Sequence, residues 1–317
     1  VTGLFDNYSH FGRRVAIYDN YLCVSAPRMI EKRNSQSGSY GGAVFLFKKD
    51  EGGSDNWGLV NTYQDSKNIS SSVYYGYDIS ISDDVLVISN LRNYGDNRNA
   101  VDVFIRNGDN WEYSEKIWDS DMDYGGSGGT LKFGYKVKTD GNYILSYAQN
   151  GNVTGASTTS GIVFLYSRDS NNKFILTKVF GIENSNNIYF GDSLDIKDDV
   201  IAIGAYGDDV TGSHKGGSVY IYSKDEGGLN NWGLTSIIRR GYTYSEGEQD
   251  YFAKNKALSI DYENSGLVIG AEREDTTGSN RGSIYLVDQG KYINEKNKIV
   301  LNTRSFIKDT TLDKNDF

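Results

Sequence analysis

The segment Phe190-Gly191-Asp192-Ser193-Leu194-Asp195-Ile196-Lys197-Asp198-Asp199-Val200-Ile201-Ala202-Ile203-Gly204-Ala205 decides the fold. It opens on an aromatic–glycine pair and alternates through 193–196. It turns at Lys197-Asp198-Asp199 and returns as the apolar run 200–203. Period-two spacing broken by an Asp-rich turn marks a β-hairpin. The second strand ends on the small pair Gly204-Ala205, and a polar loop follows. Residues 218–222 form a third alternating strand. Lys224-Asp225-Glu226-Gly227-Gly228, running to Asn231-Trp232-Gly233-Leu234, supplies a turn and the start of a fourth.

The same order recurs along the chain. Phe11-Gly12, Tyr75-Gly76, Phe133-Gly134, Phe190-Gly191 and Phe252-Ala253 open five repeats, between 57 and 64 residues apart. Second strands close on Ser25-Ala26, Ser89-Asn90, Ser146-Tyr147, Gly204-Ala205 and Gly270-Ala271. Third strands are predicted at 43–47, 101–105, 162–166, 218–222 and 283–287. Lys49-Asp50-Glu51-Gly52-Gly53 with Asn56-Trp57-Gly58-Leu59 repeats the turn of the fourth unit almost letter for letter. Repeat two carries the shorter Asn107-Gly108-Asp109-Asn110-Trp111. The expected fold is therefore all-β: a β-propeller of four-stranded antiparallel blades, with five repeats visible. No stretch shows capped helical periodicity.

Composition agrees. The 317 residues include 37 Gly, 25 Tyr and a single Pro, which suits short strands and tight turns. With 33 Lys+Arg against 42 Asp+Glu the net charge is −9, which argues against phosphate-driven nucleic-acid binding. No apolar run approaches the roughly 20 residues that span a bilayer. Cys23 is alone, so no intrachain disulfide forms. His10 and His214 are the only histidines. Neither sits in a recognisable nucleophile–base constellation, so the chain is read as non-enzymatic.

These motifs resemble the FG-GAP repeat family, the repeats of integrin α-subunit propellers, in its bacterial and protist branch. Phe-Gly opens each unit, and Ser25-Ala26-Pro27 stands where the family has Gly-Ala-Pro. Gly204-Ala205-Tyr206-Gly207-Asp208-Asp209 and Gly216-Gly217-Ser218-Val219-Tyr220 carry the rest of the likeness. The resemblance implies one propeller domain over 1–317, with repeats starting near 11, 75, 133, 190 and 252, and an extracellular or cell-surface setting. A closed five-bladed ring is the favoured reading over a segment of a longer array. The Val1 start is read as a processed or excised end. The first-strand turns lack the family's Asp-x-Asp-x-Asp-Gly calcium loop, so its usual calcium sites do not carry over.

Function is expected on the face that carries the loops between strands two and three and between successive repeats. Candidate ligand contacts there are Tyr206, Asp208, Asp209, Glu274 and Asp275. Asp119, Asp121 and Asp123 form the candidate Ca2+ loop, with spaced carboxylates and a nearby Gly125. The competing reading of both groups is solvated acidic loop. Trp57, Trp111, Trp118 and Trp232 either cover blade rims or stack on sugars. The sequons at Asn7, Asn68 and Asn152 are no more than chance supplies. The expected activity is adhesion or binding to a protein or glycan. The alternatives are a structural subunit of a surface assembly and a divergent hydrolase.

Overall fold

A computed structural model describes residues 9–29, 41–65, 73–92, 99–118, 131–151, 160–183, 187–208, 216–240, 252–261, 266–271, 283–288 and 298–301. All regular structure among them is β. No helix of the described residues is long and apolar enough to cross a membrane. Two compact units divide the chain at Asp198/Asp199.

The first unit holds three sheets of four strands in meander order, each strand antiparallel to the next. They are β1 (Val15–Tyr18), β2 (Tyr21–Ala26), β3 (Ala43–Lys49) and β4 (Trp57–Tyr63); β5 (Val73–Ser82), β6 (Val85–Arg92), β7 (Ala100–Asn107) and β8 (Asn110–Trp118); and β9 (Lys136–Thr139), β10 (Tyr143–Ala148), β11 (Ile162–Arg168) and β12 (Phe174–Phe180). β13 (Phe190–Lys197) closes the unit by packing on β9, β10 and β11. The second unit contains β14 (Val200–Ala205), β15 (Ser218–Ser223) and β16 (Gly233–Arg240), then β17 (Leu258–Asp261), β18 (Gly266–Ala271) and β19 (Ser283–Asp288), and last β20 (Lys298–Leu301).

The pairing of the third strand with the fourth buckles in the same way in four repeats. Pairing slips by one residue at Leu46/Phe47, Val103/Phe104, Leu165/Tyr166 and Ile221/Tyr222, the same place in each of four repeats. Such bulges bend and twist the outer strand. Repeat five departs from the expected plan. Its described sheet has three strands, and β20 lies parallel to β16 instead of antiparallel to β19. A parallel neighbour cannot come from a hairpin; it needs a long crossover, which the segment from β16 to β20 provides.

The joints between repeats explain the aromatic–glycine pairs. Tyr75, Phe133, Phe190 and Phe252 are buried. Phe133 sits among Val101 and Val103 of the preceding sheet and Ile144 and Phe164 of its own. A Cβ on Gly76 would stand 2.6 Å from Val44, and one on Gly191 2.4 Å from Tyr147. Both glycines have left-handed φ, +79° and +108°. Across each joint, Gly42, Gly161 and Gly217 lie against the backbone of Tyr75, Phe190 and Phe252. Repeats two to five thus each insert an aromatic into the gap left by the predecessor, and glycine on one side of the joint or both lets the backbones meet.

Candidate functional site

The aromatic–glycine pair also sets the direction of the residues beside it. In His10-Phe11-Gly12-Arg13 the Arg13 N–H donates to the His10 carbonyl at 3.0 Å; Tyr135 and Lys132 repeat this at 3.3 Å, and Asp192 and Tyr189 at 3.1 Å. These are tight turns with glycine at the third place, where positive φ is required. His10, Lys132 and Tyr189, which open the turns, are themselves left-handed, with φ of 53°, 51° and 54°. Strained backbone of this kind costs stability and persists where the surroundings fix it.

The turn residues of repeats one, two and three converge on one cavity of about 430 Å3 in the first unit. Arg13, Arg28 and Lys132 supply its cationic side, Tyr74, Tyr77 and Tyr135 its aromatic side, and His10 lies beside them. Leu91 lies near the end of β6, and Pro27 and Asn99 stand at the ends of the stretches between second and third strands. This is the loop face singled out by the repeat pattern. No carboxylate is among the described lining residues.

Cations and rings are stacked in order. The Arg13 guanidinium lies 4.4 Å from the centre of Tyr77. Tyr77 and Tyr135 are 4.9 Å apart, tilted by 43°. Lys132 Nζ closes the series 5.8 Å from Tyr135, and Arg28 stands 5.9 Å from Tyr74. Each contact is worth about 0.5–1 kcal/mol when exposed and more when desolvated. Burial, then the hydrogen bond to Tyr77, push the Tyr135 phenol well above its usual range, so it stays a neutral donor and acceptor. Lys132 donates to Gln149 at 3.0 Å. Arg13 has no carboxylate partner among the described residues, and its buried Nε finds no hydrogen-bond acceptor there.

The residues singled out in the sequence fare differently. Asp208 is nearly buried; its carboxylate accepts from the Tyr220 hydroxyl at 2.8 Å and from Arg239 at 3.3 Å. That geometry ties the loop of repeat four to its own third and fourth strands. Tyr206 lies beneath Lys254, with Nζ 5.3 Å from the ring centre. Asp209, Glu274, Asp275 and the Ca2+ candidates Asp119, Asp121 and Asp123 lie outside the described residues. Among the described residues no group of three or more His, Cys, Asp or Glu is placed to hold a metal ion. Trp111 and Trp232 are buried and Trp57 is exposed, with Trp111 edge-on to Tyr21 at 5.4 Å. A second cavity at that rim, of about 390 Å3, pairs its cation with an acid: Asp109 accepts from Lys48 at 2.7 Å and from Tyr21 at 3.1 Å. The cationic cavity was not foreseen. Its signal was the pair of residues flanking each aromatic–glycine, basic or Tyr throughout repeats one to three.

Residues 182–222 match the FG-GAP repeat family. No curated protein sequence matches the chain. Similar solved structures include a protein from Lactobacillus plantarum, 11% identical, with TM-score 0.47, over 90% of this chain and 72% of that one. Sqt1 from Chaetomium thermophilum is 11% identical, with TM-score 0.41, over 91% and 72%. The periplasmic gluconolactonase of Pseudomonas aeruginosa is 11% identical, with TM-score 0.37, over 86% and 87%. Likeness at this level does not separate enzymes from binding proteins.

Proposed function

We propose that the chain is a non-catalytic binding module that contacts a protein or glycan through the cavity lined by Arg13, Arg28, Lys132, Tyr74, Tyr77 and Tyr135. The observation that carries this is the convergence of three cations and three tyrosines, with no carboxylate among the described lining residues. Concave sites with a few convergent polar groups are the default location of ligand binding. The FG-GAP repeat at 182–222 supports an extracellular setting. Tyr206 and the acidic loop positions 208, 209, 274 and 275 are secondary contacts in this reading; Ca2+ at Asp119, Asp121 and Asp123 is a separate proposal, tested by calorimetric titration. The test of the module is an immobilised glycan and extracellular-protein panel, probed with the wild-type chain and with Arg13→Gln and Lys132→Gln. Retention of a ligand that both variants lose supports the reading. Retention that ignores both variants, or turnover of a lactone or glycoside by the wild-type chain, overturns it.

A second reading, a structural subunit, is favoured by one observation. Phe11, Val15 and Ile17 are 40%, 62% and 63% exposed, whereas Tyr75, Ile79 and Ile81 at the same positions of repeat two are buried. Ile284 and Leu286 of repeat five are 48% and 51% exposed, whereas Val44 and Leu46, Val163 and Leu165, and Val219 and Ile221 are buried. Repeat one thus exposes the inserting side of a joint, and repeat five the third-strand side that receives an inserted aromatic in the earlier repeats. Apolar patches left open in this way mark interaction surfaces. Concentration-dependent growth in sedimentation velocity, abolished by Ile17→Lys, supports this reading; a monomer at all concentrations removes it.

A further inference from the structure

We propose that the cavity takes the carboxylate of an acidic sugar of the uronate type, with Arg13 as the principal contact and Lys132 as the second. This rests on reading the cavity as the binding site. The chain carries a net charge of −9, yet this concavity gathers Arg13, Arg28 and Lys132 with no acid among its described lining residues, a local reversal of the overall field. Elsewhere basic side chains are engaged by acids: Arg14 by Asp78, Lys48 by Asp109, Arg168 by Asp84 and Arg239 by Asp208. Arg13 is the exception, with a buried Nε–H that no described residue accepts. A guanidinium held over a ring donates from its edge, and its forked N–H groups match a carboxylate.

The aromatic arrangement narrows the class. Tyr77 has Arg13 on one side, at 4.4 Å, and Tyr135 nearby at 4.9 Å. Its ring is already packed, so a flat nucleobase has no open slot between these groups. The lining also carries tyrosine hydroxyls and the Asn99 amide. Groups that both donate and accept suit a polyol better than a purely anionic peptide. The volume, about 430 Å3, lies at the small end of ligand sites and suits a ligand of one or two rings. The left-handed turns at His10 and Lys132 hold this constellation before any ligand arrives, which reduces the ordering cost of binding.

Isothermal titration of the full chain with digalacturonate tests the proposal, with its dimethyl ester, galactose 6-sulfate and a tetra-aspartate peptide as comparators. Digalacturonate is expected to bind at least about tenfold tighter than the ester, and more weakly as salt rises. Arg13→Gln and Lys132→Gln are each expected to weaken it about tenfold or more, while Lys48→Gln, at the rim cavity, leaves it unchanged. If Arg13→Gln fails to fold by circular dichroism, Lys132→Gln carries the test. Equal binding of the ester, tighter binding of the sulfate or the peptide, no heat with digalacturonate, or indifference to the foldable variants would each overturn it. The broader reading fails separately. A panel ligand that is neutral but sensitive to Arg13→Gln keeps the module and removes the acidic sugar; a panel ligand insensitive to both variants removes both.

Discussion

Arg14 donates through Nε to Asp78 across 3.0 Å, joining the start of the first repeat to the first strand of the second. The other oxygen of the same carboxylate accepts the Val137 backbone N–H at 2.9 Å, from the first strand of the third. The Asp78 backbone N–H donates to Ser89 at 2.7 Å, and its side chain is fully buried. One carboxylate therefore fastens three successive sheets at their inner strands. Packing alone leaves sliding between stacked sheets cheap; a buried directional contact fixes the register.

Asp78→Ala removes an acceptor from both joints and strands a half-buried guanidinium. Breaking a buried pair from one side costs about 3–5 kcal/mol; because Arg14 retains some solvent, the lower end applies. Urea titration should show the loss as a lower midpoint. The rim contact Asp109–Lys48 is the control: the Asp109 side chain is exposed, and Asp109→Ala should leave the midpoint nearly unchanged. Equal effects from the two substitutions would refute the fastening role of Asp78.

The glycines at the joints should separate steric cost from backbone cost. Gly12 and Gly76 have nearly the same left-handed φ, +86° and +79°, but a Cβ on Gly12 meets nothing within 4 Å. Gly12→Ala then carries the conformational penalty alone, about 1 kcal/mol. Gly76→Ala adds a clash at 2.6 Å with Val44 and a tight approach to the Ala43 carbonyl, and overpacking of that kind costs about 1–3 kcal/mol more. Thermal denaturation of the two variants should differ by several degrees. Matching melting temperatures would mean that the joint yields.

Much of this was readable from the residues because repetition turns one weak pattern into five. The hairpins, the third strands and the turn of Asp50 and Asp225 all follow from local chemistry. Asp55 N–H donates to Asp50 at 2.7 Å and Asn230 N–H to Asp225 at 2.8 Å, one turn written twice. Two features escaped for a physical reason. The partner of β20 is set by tertiary packing, which no local period encodes. The cationic cavity draws on residues from 10 to 135, and only the stacking of three repeats brings them together. Asp208 shows the converse: its motif marks the loop correctly, but nothing local reveals that Tyr220 and Arg239 hold its carboxylate inward.

Cys23 should be inert in the native state. It is fully buried in β2, and burial pushes its thiol up to about 12, so almost no thiolate exists at neutral pH. Reaction with a thiol-specific disulfide reagent should be slower than in the denatured chain by about 100-fold or more, and should follow local opening. Prompt stoichiometric labelling under native conditions would mean that the first sheet opens far more readily than its packing implies.

Two carboxylates should leave opposite and separable marks on stability. Burial raises Asp102 to about 6, against the pull of Lys116 at 3.3 Å. Its unfolded value is about 4, so between about pH 4 and 6 the native state holds more protons, and this group makes stability fall as pH rises. Asp84 behaves the other way. The hydrogen bonds from Arg168, at 2.7 Å to each oxygen, hold it below the usual carboxylate range. Its contribution is complete above the unfolded value and is lost only as pH drops below about 4. Urea midpoints measured from pH 3 to 7.5 should show both windows. Asp102→Asn should flatten the upper one and leave the lower, and Arg168→Gln should do the reverse. An Asp102→Asn profile parallel to wild type between pH 4 and 6 would show that Lys116 compensates the buried charge within the native state.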